Sequence, residues 1–302
     1  MIKSIIVTNY RGDSIQLDLA DPEKSGFLVK EISGLGPCKA TINTTEVSTN
    51  DGSIYNSARL DARNIVLDLA FVGTDIETVR QLSYKYFPIK KELSLEIITD
   101  NRDCVTTGYV ESNEPDIFSE EESASISIIC PDAYFYSAKD GENITESYSE
   151  TPMFEFPFCN DSLTEKLLVM GEIYQFTEVV VAYDGDAEVG ATITLHAVGE
   201  VINPAIYNVE TSEQMLIDTS KMETLTGSGF IAGDDIIICT VKGKKAVKLL
   251  RNGVYTNILN ALDRNSDWFQ LSKGENVLSY TAESGGSNLQ IKIQNDVIYE
   301  GI

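Results

Sequence analysis

The chain of 302 residues carries 47 acidic against 23 basic side chains, a formal charge of −24, and 42% of its residues are hydrophobic. Such a surplus of negative charge repels the phosphate backbone of a duplex, which excludes a nucleic-acid binder. No run approaches the roughly 18 apolar residues of a membrane span, and Met1–Tyr10 lacks the pattern of a signal peptide, so a soluble protein made in the cytoplasm, without membrane insertion, is expected; the length predicts two cores.

In chain order, short runs rich in Ile, Val, Thr and Tyr between Gly, Asn and Asp punctuation read as strands and predict a mainly β protein. Ile2–Thr8 and Ile15–Leu19 frame a hairpin around Asn9–Asp13. Lys39–Ser48 and Ala58–Phe71 form a second hairpin through Asn50-Asp51-Gly52-Ser53, where Asp-Gly supplies the positive backbone dihedrals of a tight reversal. Along its second strand Arg59, Asp61 and Arg63 share a face with Ile65, Leu67, Leu69 and Phe71, so one face turns from wet to buried. A hairpin reaching beyond its own domain, to pair with a neighbouring copy or line a channel, produces this pattern; so does a mobile surface hairpin. Thr45, Glu46, Asn50, Asp51, Arg59, Asp61 and Arg63 make up this candidate ring or channel hairpin.

A helix is predicted over Asp75–Phe87, started by a Thr74–Glu77 capping box and stopped by Pro88, with Ile76, Val79, Leu82 and Tyr86 on one face. Strands resume at Leu93–Thr99, Cys104–Glu111 and Ala124–Cys130, and Ser112–Glu122, with Pro115 and three successive glutamates, reads as a solvated loop. Ser137–Ser149 is polar and poor in aliphatics. The expected organisation is therefore a first domain over 1–137, a linker over 138–149 and a second domain over 150–302.

The second half alternates strands and turns: Phe176–Tyr183 and Ala191–Ala197 around Asp184-Gly185-Asp186, Ala205–Thr211 with Gln214–Asp218, and Asp235–Val241 before Lys245–Arg251. Asn252-Gly253 then leads into Val254–Ile258. Trp268–Leu271, Val277–Tyr280, Leu289–Gln294 and Val297–Tyr299 follow, the last two joined by Asn295-Asp296. Many short strands with regular turns predict a sandwich or jelly roll.

Three first-half stretches, Gly34–Phe71, Ser83–Lys91 and Gly108–Ser137, resemble the distal tail protein family of long-tailed, non-contractile phages. Gly233–Glu283 resembles the end of that family's second domain, with an Asn-Gly turn and a W-F-x-L-x-x-G-x-N element at Trp268, Phe269, Leu271, Gly274 and Asn276. The similar segments cover about half of the chain. The resemblance implies an N-terminal β-sandwich with one helix and a C-terminal galectin-like β-sandwich. It also implies a homohexameric ring at the distal end of the tail, around a channel that DNA crosses without specific binding. The partners implied are the tail-tube protein, the tail-tip hub or tail-associated lysin, and receptor-binding or side-fibre proteins on the second domain. On that reading the protein belongs to the virion tail. Acidic side chains are expected to outnumber basic ones along the channel, with Arg59 and Arg63 paired to acids such as Asp61.

No catalytic, cofactor-binding or metal site is assigned. His196 is the only histidine and is expected at a surface or sheet edge, and hydrolase and nucleotide-binding motifs are missing. Asp184, Asp186 and Glu188 alternate without the full calcium-loop pattern, and a hairpin tip explains them as well. Cys38, Cys104, Cys130, Cys159 and Cys239 show no paired spacing and are expected to be reduced core residues. The alternative function is a carbohydrate-binding module contacting the host cell wall, with Trp268 as glycan contact; its neighbours Phe269 and Leu271 point instead to a core position.

Overall fold

The computed structural model describes residues 1–46, 51–119, 121–138, 143–152, 171–175 and 177–302. The chain forms two units, Met1–Gly141 with Ile298–Ile302, and Glu142–Val297. Both are sandwich-like bodies of antiparallel strands.

In the first unit, alternation along most of the strands builds one long sheet. Its strands are β1 (Ile2–Asn9), β2 (Ser14–Asp18), β3 (Phe27–Ser33), β6 (Arg63–Phe71), β7 (Glu92–Thr99), β8 (Asp103–Asp116) and β9 (Ser123–Cys130), in the order β2-β1-β7-β8-β9-β6-β3. Between β3 and β6 in the chain, β4 (Ala40–Glu46) and β5 (Ser53–Leu60) pair only with each other. β10 (Phe135–Ser137) joins β8 and β23 (Ile298–Tyr299). Ile128 lies opposite Ile65 on one side and Val110 on the other, and Leu67 lies opposite Ile126. These residues join Val7, Leu17, Phe27, Leu95 and Ile97 in one buried cluster. Leu17 and Phe27 come from opposite ends of the strand order, and β2 touches β3, so the sheet curls back on itself around that cluster. Each fully buried Ile or Leu contributes about 1.5–3 kcal/mol relative to exposure, whereas an exposed pair such as Lys30–Glu121 contributes about 0–1 kcal/mol. The inner face therefore decides the fold of this unit. Gly108 is part of the same packing, because a Cβ there would stand 2.6 Å from Ile128 Cγ2.

The single expected strand Ala58–Phe71 is two strands, β5 and β6, parted at Asp61-Ala62. The turn from wet to buried is thus a change of sheet: all eight residues of β5 are exposed, while β6 alternates into the core. Ser112–Asp116, expected in a loop, continues β8 past a bulge and pairs with β9 alone, since β7 reaches only as far as Tyr109. Pro115 is tolerated there because the side it presents to solvent needs no N–H.

Helix α1 (Ile76–Tyr86) packs Val79 into the cluster with Ile76, Leu82 and Tyr86 beside it. Its cap is Asp75 and not Thr74: the Asp75 carboxylate accepts from Thr78 N–H at 3.2 Å and from the Thr78 hydroxyl at 2.5 Å. Glu77, expected to close the box, bonds Arg80 and Gln81 instead. The aspartate sits one residue nearer the helix and reaches the third helical N–H directly, leaving the box without a function.

The second unit contains two main sheets. One runs β11 (Asn143–Glu146), β22 (Leu289–Asn295), β15 (Thr192–Ala197), β18 (Asp235–Cys239), β19 (Ala246–Arg251), β20 (Val254–Asn257). The other runs β14 (Glu178–Tyr183), β21 (Gly274–Ser284), β16 (Ile202–Asn208), β17 (Gln214–Leu216), and β12 (Tyr148–Pro152) pairs with β13 (Gly171–Gln175). Val179, Val181 and Tyr183 of β14 are buried, as are Ile193, Leu195 and Ala197 of β15. β14 and β15 belong to different sheets, so the Asp184–Asp186 segment crosses between sheets and is not a hairpin tip. Asn252-Gly253 does turn β19 into β20, with φ of 51° and 78°. Helix α2 (Thr219–Thr226), absent from the sequence reading, is capped by Asp218 and ends at Gly227 with φ 84°.

The stretch expected as a linker, 138–149, includes β11 and the start of β12. Ile298–Tyr299 does not pair back on β22; it pairs with β10 in the first unit. Trp268–Leu271 forms no strand, only a single bridge from Leu271 to Val189.

Two outcomes follow from the caps. Asp75→Ala should lower the melting midpoint of the first unit by roughly 2–4 °C, whereas Thr74→Ala leaves it unchanged, as differential scanning calorimetry reports. The Ser220 hydroxyl, then Lys221, hold the Asp218 carboxyl down from 3.8 to about 2. A depressed carboxyl stabilises the fold above its unfolded value and loses that effect as the pH falls through its folded value. Wild type should therefore be the more stable form above about pH 4, and its advantage over Asp218→Asn should vanish between pH 3.8 and about 2. The fluorescence of Trp268, the only tryptophan and a residue of this unit, reads the unfolding.

Candidate assembly surface

The β4–β5 ribbon is the part of the first unit that its own core does not explain. Register pairs Ala40 with Leu60, Ile42 with Ala58, Thr44 with Tyr55 and Glu46 with Ser53. Directly opposed residues share a face, so Ala40, Ile42, Tyr55, Ala58 and Leu60 form an apolar stripe. Ile42, Tyr55 and Leu60 are 61%, 63% and 37% exposed. The other face is polar apart from Ile54, which lies opposite Thr45 and is exposed: Asn43 Nδ2 donates to Ser57 Oγ at 3.0 Å, and Asn56 Nδ2 donates to Thr45 Oγ1 at 2.6 Å. Asn56 is the extra residue of a bulge, which reverses the parity of β5. Read at period two, Tyr55 falls on the opposite side from Ala58 and Leu60, which is why the stripe is hidden in the sequence.

The expected hairpin residues are not all together. Thr45 lies within the ribbon, Glu46 is opposite Ser53, Asp51 is exposed in the turn, and Asn50 lies outside the described residues. Arg59 is exposed, with Nε 4.0 Å from Asp61 Oδ1, and the Thr41 hydroxyl donates to Asp61 at 2.9 Å. The Arg59–Asp61 pairing is thus within one chain.

Arg63 is elsewhere. It is 2% exposed, and its guanidinium lies 4.1 Å from the centre of the Phe135 ring. Nη1 donates to Gly34 O and Gly36 O at 2.6 Å, Nε and Nη2 to Ala133 O at 3.2 and 2.7 Å, and Nη2 to Glu300 O at 2.7 Å. Every one of these partners is a carbonyl. The expectation of Arg63 at a channel wall or beside Asp61 is therefore corrected: the residue opens β6, where alternation turns inward. Burial pulls its pKa below the ordinary arginine value, against the opposing pull of Cys38, Cys130 and Asp132. Gly34 shares the site, with φ 83° and no room for a Cβ, which would stand 2.0 Å from Asn64 O.

In the second unit Trp268 is half-buried, and the Lys245 ammonium lies 5.2 Å from its ring centre. The face that Lys245 covers is not free to stack on a sugar. The rest of the W-F-x-L-x-x-G-x-N element is structural. Phe269 and Leu271 are buried, and the Asn276 side chain accepts from Ser272 N–H at 2.8 Å and donates to Ser272 O at 2.7 Å, pinning the turn before β21. His196 bonds Asp235 across the sheet at 2.7 Å and is 41% exposed. Asp186 pairs with Lys273 at 3.5 Å. Among the described residues no group of three or more His, Cys, Asp or Glu side chains is placed to hold a metal ion. Cys104 and Cys130 are buried free thiols, Cys38 and Cys239 are half-buried ones, and Cys159 lies outside the described residues.

Residues 184–295 match the family described as siphovirus-type tail component, C-terminal domain. No curated protein matches the sequence. The crystal structure of SPP1 Dit (gp 19.1), described as a paradigm of the hub adsorption apparatus in Gram-positive infecting phages, aligns with a TM-score of 0.62 at 16% identity, over 98% of this chain and 99% of that one. The phage P2 baseplate in its activated conformation with Ca aligns at 0.45 and 11% identity over the whole of both chains, and the Sr form at 0.40 and 11% over 96% and 97%.

Replacing Arg63 by Lys keeps a charge but withdraws the fork that serves four carbonyls at once. The expected cost is about 2–4 kcal/mol in denaturant unfolding of the first unit, with faster amide exchange at residues 298–302. Unchanged exchange there would show that the C-terminal segment is held without Arg63.

Proposed function

We propose that this chain is a Dit-like hub component of the phage adsorption apparatus and works there as a homohexameric ring; the match of residues 184–295 to the siphovirus-type tail component family and the fold shared with SPP1 Dit support this reading. The first units form the ring, each β4–β5 ribbon laying its apolar stripe on the neighbouring copy. The observation that carries this reading is the stripe itself. Ile42, Tyr55 and Leu60 are held in register on an ordered strand pair that belongs to neither sheet core of its own chain. An exposed apolar patch on such a ribbon is a docking surface or an aggregation hazard, and a closed ring buries it.

The tail tube would dock on one side of the ring, and the tail-tip hub or tail-associated lysin on the other. Phe118, 95% exposed at the end of the β8–β9 hairpin with Ile117 beside it, is a second apolar contact available for those partners. The second units hold receptor-binding or side-fibre proteins. DNA passes through the channel, and the excess of 47 acids over 23 bases favours a wall that does not retain it. Arg59 is screened by Asp61 and Arg63 is removed from the surface, so neither adds a free cation to such a wall.

The test uses the double variant Ile42→Ser, Tyr55→Ser. Both residues are exposed, so unfolding stability should change by less than about 0.5 kcal/mol. Wild type is expected to sediment as a hexamer and appear as rings in electron micrographs, and the variant to sediment as a monomer. A wild type that stays monomeric at all concentrations removes the ring; a variant that still forms rings moves the joint away from the ribbon.

A further inference from the structure

β20 is the outermost strand of its sheet and, among the described residues, pairs with β19 alone. The Ile258 N–H bonds Val247 O at 3.0 Å, which fixes the alternation of the ladder. Val254 and Thr256 turn their backbone groups toward β19, while Tyr255 and Asn257 present theirs to the open edge. Edges are normally blunted by charge, proline or a bulge. The Val-Tyr-Thr-Asn of β20 has none of these, and its register with β19 is continuous. Val254 and Tyr255 are each 63% exposed. Tyr255 lies opposite Leu250, which lies opposite Asp235, and Lys248 lies opposite both Asn257 and Ile237, so the outward face beside the edge sets apolar Tyr255, Leu250 and Ile237 among polar side chains.

The charge at this end of the sheet runs against that of the chain. Lys242, Lys244 and Lys245 in the β18–β19 turn and Lys248 on β19 are all exposed. Among the described residues none has a carboxylate at ion-pair distance, whereas Arg251, at the far end of β19, holds Asp234 at 2.5 Å. Four unneutralised cations within seven positions, in a protein with twice as many acids as bases, are complementary to an acidic occupant.

We propose that this edge receives an extended acidic segment of another protein, added to the sheet as a strand beside β20. The backbone groups of Tyr255 and Asn257 bind its main chain, its apolar side chains cover Tyr255 and Leu250, and its carboxylates lie among Lys244, Lys245 and Lys248. Strand addition of this kind takes affinity from the backbone bonds and selectivity from the alternating side chains. The site lies within the second unit and does not depend on ring formation.

The experiment uses the full chain and three probes: an acetylated, amidated dodecapeptide of alternating Val and Glu, its Val and Lys counterpart, and sodium polyphosphate. Binding is followed by calorimetry and by amide exchange. The glutamate peptide should bind, more weakly as salt rises, and slow exchange at Tyr255 and Asn257. The lysine peptide should bind at least tenfold more weakly, and the variant Lys244→Glu, Lys248→Glu should lose at least tenfold in affinity for the glutamate peptide. Unchanged exchange at Tyr255 and Asn257 in the peptide-saturated protein overturns the proposal. So does polyphosphate that displaces the peptide at equal charge concentration, which would mark a general polyanion site, or a lysine-reversal variant that binds as wild type does.

Discussion

The first unit depends on one buried cation. Arg63 offers five N–H groups in a rigid plane, and the chain surrounds that plane with carbonyls from three separate stretches: the loop after β3, the β9–β10 connection and the C-terminal segment. None of these stretches is held at that point by a continuous strand ladder, so each takes a side-chain donor for its carbonyl oxygens. A carboxylate partner would neutralise the charge but serve only one stretch. Distributing the guanidinium over carbonyls costs desolvation, visible in its lowered pKa, and in exchange closes three loops on one atom group. The residue also stands where the exposed ribbon ends and the buried sheet begins, so it marks how far the ribbon can be displaced without opening the core.

The inner face of the first sheet was legible in the sequence because its signal is local. Ile126, Ile128 and Cys130 alternate with serines, and a half-buried strand requires little else. What was not legible depends on interruptions or on distant chain. β3 shows no clean alternation because a bulge between Val29 and Glu31 resets it. The bulge at Asn56 disguises the apolar stripe for the same reason. Helix α2 is eight residues long and weakly apolar, although Asp218 before it and Gly227 after it carried the capping signals. The role of Arg63 could not be seen, since parity grouped it with Arg59 and Asp61, and no local pattern announces donors shared among carbonyls 27 to 237 positions away.

The two apolar surfaces left open differ in kind. On the ribbon the apolar groups are side chains on one face of the strand pair, so association through that stripe is governed by shape and burial. At β20 the exposed groups include backbone donors and acceptors, and the flanking side chains are cationic. A contact of the first sort suits repeated copies of one chain, because the same stripe and its receiving surface recur around a closed ring. A contact of the second sort is tuned by charge and suits a different partner.

The first unit is discontinuous in the chain, for its last strand, Ile298–Tyr299, follows the whole of the second unit. On the ribosome the sheet from β1 to β10 emerges first but lacks the Glu300 carbonyl and the β23 ladder until the whole of the second unit has been made. The second unit, by contrast, has all of its strands once residue 297 has emerged. The order of completion is therefore the reverse of the order of emergence. In a chain whose first unit carries an apolar ribbon, a late final strand delays the finished surface until the second unit has been made, which would separate folding from the proposed self-association in time.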